Sequence, residues 1–410
     1  MRPERRKRGF VLVVMVICAA VLTEFVGLAI DTGYLQLVKT RMQIAADAAA
    51  IGGAQEIRAN GSANAVTAAK TDSASNGFTD GVSNVTVTVN SPPTSGFYTA
   101  DSTAVEVIVS QSVKTLFMSV LGVTSSTVRA RSVARLGSGP SCQYVLDPSA
   151  SNAFSISGGI NVQVGCGVVI NSSSATALNA SGGAHLTATS ISVVGNYSSS
   201  GGAVLTPTPV IHAAAQSDPL AYVPAPSVGA CGYGATTYTV SGGATTTLSP
   251  GVYCNGISIS GGSHVTLNAG TYILLGGGLS VSGGSTLTGT GVTFYNTKDA
   301  SHTYGSINFS GGTTETLTAP TTGTLAGMLF FQDRSVASGV GSSFSGGTGC
   351  TFTGALYFPT TALSYSGGTT GSYTILVSKT VSYSGGATLN SDYSSLPGGS
   401  PIKGGAALSE

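Results

Sequence analysis

Hydrophobic and polar positions divide the chain into stretches with different periods. From Phe10 to Ile30 the sequence FVLVVMVICAAVLTEFVGLAI is apolar over 21 residues apart from Glu24 and two small polar or sulfur side chains. At about 1.5 Å per residue, a helix of this length crosses the roughly 30 Å hydrocarbon layer. Beyond it, Leu35, Val38, Met42, Ala45 and Ala49 recur at steps of three and four, which predicts that the helix continues to about Arg58 with one apolar face. The pattern then changes to strict alternation over 84–90, 104–110 and 125–136, the period of half-buried strands, with a turn at Ser91-Pro92-Pro93 and a short helix over 114–121 ended by Gly122.

After residue 138 the alternation is carried by short pieces such as ISISGGSHVTL and LSVSGGSTLTG, in which apolar residues alternate with Ser or Thr. Ser-Gly-Gly occurs ten times between Ser157 and Ser384, at intervals mostly near twenty residues. A recurrence on that scale marks a solenoid, and β-branched residues with paired glycines predict strands joined by sharp corners rather than helices. The expected fold is mainly β, a right-handed parallel β-helix of about a dozen coils following a transmembrane helix and a small α/β module. The 41-residue interval between Ser200 and Ser241 contains five prolines over 206–227 and reads as a loop thrown out of the solenoid.

Composition sharpens this division. Of 33 charged residues, 22 lie in 1–137, whereas 47 of 58 glycines lie in 138–410. The expected organisation is a basic tail over 1–9, a transmembrane helix over 10–30, a helix with a small α/β stalk over 31–137, the β-helix over 138–395 with its insertion, and a flexible tail over 396–410. Arg2, Arg5, Arg6, Lys7 and Arg8 precede the span, so the N-terminus is expected in the cytoplasm and the rest outside. A net charge of +1 provides no basic field for nucleic acid.

Candidate chemistry is sparse. Glu24, a carboxylate inside the span, is a candidate for pairing with another membrane protein or for contact with the wet interface. Arg129, Arg131 and Arg135 share one side of a strand and read either as a solvated face or as a contact for anionic head groups. Cys142–Cys166 and Cys231–Cys254 are separated by about one coil, so stacking would bring each pair within disulfide reach, leaving Cys350 free and Cys18 in the membrane. No Cys-x-x-Cys or Cys/His cluster indicates a metal, and no cofactor motif occurs. The carboxylates Asp147, Asp218, Asp299, Glu315, Asp333, Asp392 and Glu410 are scattered, unlike the paired acids of glycoside chemistry. Gln332, Asp333 and Arg334, after an apolar strand, form the best candidate surface site, with a salt-bridged corner as the plainer reading.

The basic start, the span, LAIDTGYL and MQIAADAAAIGGAQEI resemble the N-terminal module of TadG-like proteins of the Flp/Tad pilus-assembly system, and the later Gly-rich stretches resemble the β-helical region of some of them. The chain departs from a type IV prepilin in having Val14 at the fifth position after Gly9, and it lacks the Asp-x-Ser-x-Ser string of a von Willebrand A-like metal site. The resemblance implies a non-catalytic role in pilus assembly, anchoring or adhesion. Its partners would be pilus-assembly or other membrane proteins, with cell-surface polysaccharide as a further ligand. The alternatives are a carbohydrate-active β-helix enzyme and a free-standing surface adhesin.

Overall fold

A computed structural model describes residues 4–60, 62–99, 101–337, 339–345, 350–366 and 371–410. The side chains of the basic tail fall outside these residues, as do the glycines of the Ser-Gly-Gly units beginning at Ser345 and Ser366. The chain forms two units, one of residues 1–137 with 405–410 and the other of residues 138–404. In chain order the second is inserted into the first.

The first unit begins with α1, Glu4–Asn60, a single uninterrupted helix. It is the one helix among the described residues long and apolar enough to cross a membrane. Every residue from Phe10 to Val26 is exposed. From Val38 onward one face is buried, with Met42, Ala45 and Ala49 wholly covered. That face packs on α2, Ala65–Ser75, and on a sheet of its own module. Small residues make the approach close: a Cβ added at Gly53 would lie 3.1 Å from Val105 Cγ1 and 3.2 Å from the Ala65 carbonyl.

The sheet contains β1 (Val85–Asn90), β2 (Ala104–Lys114) and β3 (Ser125–Ser138), paired antiparallel, and is completed beyond β3 by the C-terminal strand Lys403–Leu408. The segment read as a flexible tail over 396–410 therefore ends in a sheet strand, because β3 would otherwise leave an unpaired edge. Residues 114–121 are not a helix of ordinary length. They are the end of β2 and a 3-10 turn, Met118–Leu121, closed by Gly122 at φ +86.

In the second unit short strands pair in parallel, each with the third strand along, so three strands make one rung. The first ladder runs through ten rungs in register, from Tyr238–Val240 and Ile257–Ile259 to Phe154–Ser157, Leu178–Ser181 and Tyr197–Ser199. At 4.7–4.9 Å per strand these rungs extend over about 43 Å. Among the described residues no sheet closes on itself.

Inward side chains alternate along each strand and stack between rungs. Tyr253, Tyr272, Phe294 and Phe330 form one column, with ring centroids 6.0, 5.4 and 5.2 Å apart. The Ser-Gly-Gly corners stack as well. Gly261 and Gly262 have φ of +65 and +72, and Gly283 and Gly284 have +64 and +69. Two consecutive left-handed residues are a conformation that glycine adopts without a Cβ penalty. Corners then bond rung to rung: Gly243 N donates to Gly261 O at 2.8 Å and Gly262 N to Gly283 O at 2.8 Å.

The order of rungs differs from the order of the sequence. Rungs 238–393 come first, and the strand Thr374–Tyr383 pairs with Ser141–Val145 and Phe154–Ser157, so residues 141–206 form the far end. The chain enters the first ladder at its eighth rung, Phe154–Ser157, reaches the nearer end by Thr206, and must pass to the other end before Tyr238. Residues 207–237 make that passage. They are a strap against the rungs rather than a loop thrown outward, and Leu220 and Val223 are buried in the core.

Candidate functional site

The strap explains the residues that looked most like a site. Val210 bridges Ser192 on the last rung, and the Asn171 side chain exchanges hydrogen bonds with the Gln216 backbone at 2.6 and 3.0 Å. The Tyr357 hydroxyl donates to Asp218 Oδ2 at 2.5 Å. The Arg334 guanidinium donates to the carbonyls of Leu220 (2.7 Å) and Val223 (3.0 Å) and to the Tyr357 hydroxyl (2.5 Å), and it lies 5.0 Å over the rings of Phe331 and Tyr357. At the opposite end Tyr233 stacks on Tyr253 at 4.2 Å, covering the first rung of the aromatic column.

Gln332, Asp333 and Arg334 therefore do not form a surface cluster. Gln332 is wholly buried and accepts from the Thr361 hydroxyl at 3.2 Å. Asp333 accepts from Thr297 Oγ1 at 2.6 Å and from Ser335 N at 2.8 Å, while Arg334 clamps the strap. The strand Met328–Gln332 ends at Gln332, and the turn that follows carries Asp333 and Arg334 to separate partners.

The other carboxylates serve local turns. Asp147 accepts from Ser149 N and Ala150 N, Asp299 from Ser301 N and the His302 backbone and ring, and Asp392 from Ser394 N. Glu315 points inward in register with Leu287, where Cys350 Sγ lies 2.6 Å from its Oε2. Burial pushes the Cys350 thiol up to about 12, and the neighbouring Glu315 adds to the rise. Burial also raises the Glu315 carboxyl.

Two disulfides are present. Cys142–Cys166 joins neighbouring rungs, with Cα atoms 5.7 Å apart. Cys231–Cys254, at 5.6 Å, joins the end of the strap to the first rung, where Gly232 N also donates to Val252 O at 3.0 Å. Cys18 and Cys350 are free. His302 lies near the second disulfide, the one grouping of metal-ligand types among the described residues. Disulfide sulfurs carry no thiolate, so the trio offers no ordinary ligand set.

The outward columns of the ladders are polar and mostly hydroxyl-bearing. In the second ladder Thr247, Thr266, Thr288, Thr316 and Thr351 lie in one column, flanked by Thr245, His264, Thr286 and Thr314 in the next. The expected spacing is about 4.8 Å between rungs and about 6.8 Å between columns. Threonine is stiff at χ1, so an array of this kind holds its methyls and hydroxyls in fixed directions. The first ladder carries a second column, including Ser258, Ser280, Asn308, Ser343, Ser364 and Ser382. The sequence shows the alternation but not which threonines align, since that depends on register.

In the first unit Arg131 reaches no phosphate-like site. It bonds Glu106 at 2.6 Å, Glu410 at 2.7 Å and the Ser95 carbonyl at 2.6 Å. Arg135 lies 3.7 Å from Asp101 and 5.2 Å over the Tyr98 ring, while Arg129 is exposed. Burial would raise the Glu106 carboxyl, but bonds from Ser95, Arg131, Asn90 and Thr94 outweigh it and hold the group at about 2. Glu24 lies on α1 in a notch lined by Thr23, Leu28, Phe117, Met118, Val120 and Leu121.

Residues 9–56 match the family described as Flp pilus-assembly TadE/G-like, and residues 46–134 match the family described as Tad-like Flp pilus-assembly. Together the two matches span residues 9–134, which covers most of α1 and the sheet through most of β3. No curated protein and no solved structure matches the chain.

Proposed function

We propose that the chain is an exported, membrane-anchored component of the Flp/Tad pilus system, with its N-terminus in the cytoplasm and both units outside. The second unit is read as a right-handed β-helix that serves as a non-catalytic surface for pilus assembly, anchoring or adhesion. The carrying observation is the match of residues 9–134 to Flp pilus-assembly families. The exposed apolar stretch Phe10–Val26 supports the anchor. The order of charge supports the orientation, because basic residues precede the span.

The non-catalytic reading rests on the carboxylates, which are engaged in turns, in the strap or with a buried thiol, whereas acid–base chemistry needs two such groups converging on a substrate. The hydroxyl columns suit hydrogen bonding to saccharides or to the repeating surface of another protein. Deleting the gene and counting surface pili and attached cells tests this function. Loss of pili or of pilus-dependent attachment is expected, and unchanged numbers of both would overturn it.

A further inference from the structure

The connection between β2 and β3 has a composition unsuited to water. Residues 115–124, TLFMSVLGVT, contain no charge. Leu116, Phe117, Val120, Leu121 and Val123 are 68%, 46%, 81%, 66% and 48% exposed. A cluster of large apolar side chains at one tip marks an interaction surface.

The tip is fixed in place against α1. Asp31 on the helix accepts from Leu116 N at 3.0 Å and from Met118 N at 2.6 Å. The Phe117 ring occupies the space beside Gly27, where a Cβ would come within 2.6 Å of Phe117 Cγ. The tip therefore lies along α1 between about Thr23 and Asp31. Gly27 is three residues, or about 4.5 Å, inside the end of the apolar run at Ile30.

Depth follows from this contact. If Ile30 lies in or at the edge of the hydrocarbon, side chains packed at Gly27 and Glu24 lie at the same level. The backbone of the tip is suited to that environment. Val120 N donates to Phe117 O, Gly122 N to Ser119 O, Val123 N to Met118 O and Thr115 N to Thr124 O. The hydroxyls of Thr115 and Ser119 donate to the carbonyls of Val123 and Leu116. In lipid such groups must find partners within the protein.

We infer that residues 116–123 insert into the outer leaflet of the bilayer beside the transmembrane helix, giving the first unit a second membrane contact. This rests on reading Phe10–Ile30 as a membrane span. The tip and helix together hold the sheet at a fixed height and orientation above the membrane. Glu24 then faces a protein-lined notch rather than open lipid. A polar surface or a soluble partner would not suit five apolar side chains already at bilayer depth.

The test uses the full chain with Cys18→Ala in vesicles of phosphatidylethanolamine and phosphatidylglycerol. Cys350 is buried and the other cysteines are paired. An environment-sensitive fluorophore is placed at Val120→Cys, Leu121→Cys, Val26→Cys as the span reference, or Val82→Cys on an exposed turn of the same unit. The expected result is quenching by nitroxide lipids, and not by iodide, at 120, 121 and 26, with the reverse at 82. Iodide quenching at 120 and 121 with lipid quenching at 26 would overturn the inference while leaving the span intact. Iodide quenching at 26 as well would remove the span and the inference together.

Discussion

At the scale of single residues, Arg334 shows how one side chain can fix a long segment. Its guanidinium satisfies two strap carbonyls and a buried tyrosine hydroxyl at once, and a planar fork suits this where a single ammonium does not. Arg334→Ala is expected to destabilise the second unit by about 2–3 kcal/mol, with Arg334→Lys recovering only part, as read by thermal unfolding. Glu106 governs the acid response of the first unit. Its folded value of about 2 lies below the ordinary 4.5, so its contribution is complete above pH 4.5 and is lost as the pH falls through 2. The full effect is about 3 kcal/mol. Amide exchange in β2 should accelerate over that window, and Glu106→Gln should abolish this pH dependence. Asp333 and Arg334 were legible as unusual, being adjacent charged residues in a region poor in charge, but sequence adjacency suggested a pair where geometry gives two separate tasks.

At the scale of elements, the long helix, the strands of the first unit and the repeating rungs were legible because their periods are local. The strap was not. Pairing of Leu376, Val377 and Ser378 with Gln143, Tyr144 and Val145 joins segments far apart in sequence, and nothing in a repeat fixes which unit docks on which. The interval between Ser200 and Ser241 therefore looked like an insertion although it is the route between two ends. The Ser-Gly-Gly corners follow from local chemistry. At Gly261 a Cβ would sit 3.1 Å from Gly242 N at a φ of +65. Gly261→Ala should cost about 1–2 kcal/mol, measured by denaturant unfolding. The Cys231–Cys254 bridge holds the strap end, so reducing it should expose the strap to proteolysis before the rungs. Cleavage of rungs and strap together would contradict that account.

At the scale of the whole molecule, the chain begins and ends in one module and carries the other as an insertion. The likeness of the N-terminal helix to TadG-like proteins was legible from its motif, and residues 9–56 match the TadE/G-like family. The threonine array was not, since its columns exist only once rungs are in register. Replacing Thr247, Thr266 and Thr288 by valine should leave unfolding temperature nearly unchanged, because these outward positions bury no core and valine keeps the β-branched shape without adding charge to the column, and should reduce attachment. The central claim is that a membrane-anchored Tad-type module displays the laddered unit for work on the pilus or the surface. It is tested most directly in a gene-deleted strain supplied with a chain in which a short Gly/Ser linker replaces residues 138–404. The account predicts that this protein accumulates in the membrane at the normal level while pilus-dependent attachment stays lost. Full recovery of attachment and pili by that shortened chain would contradict it.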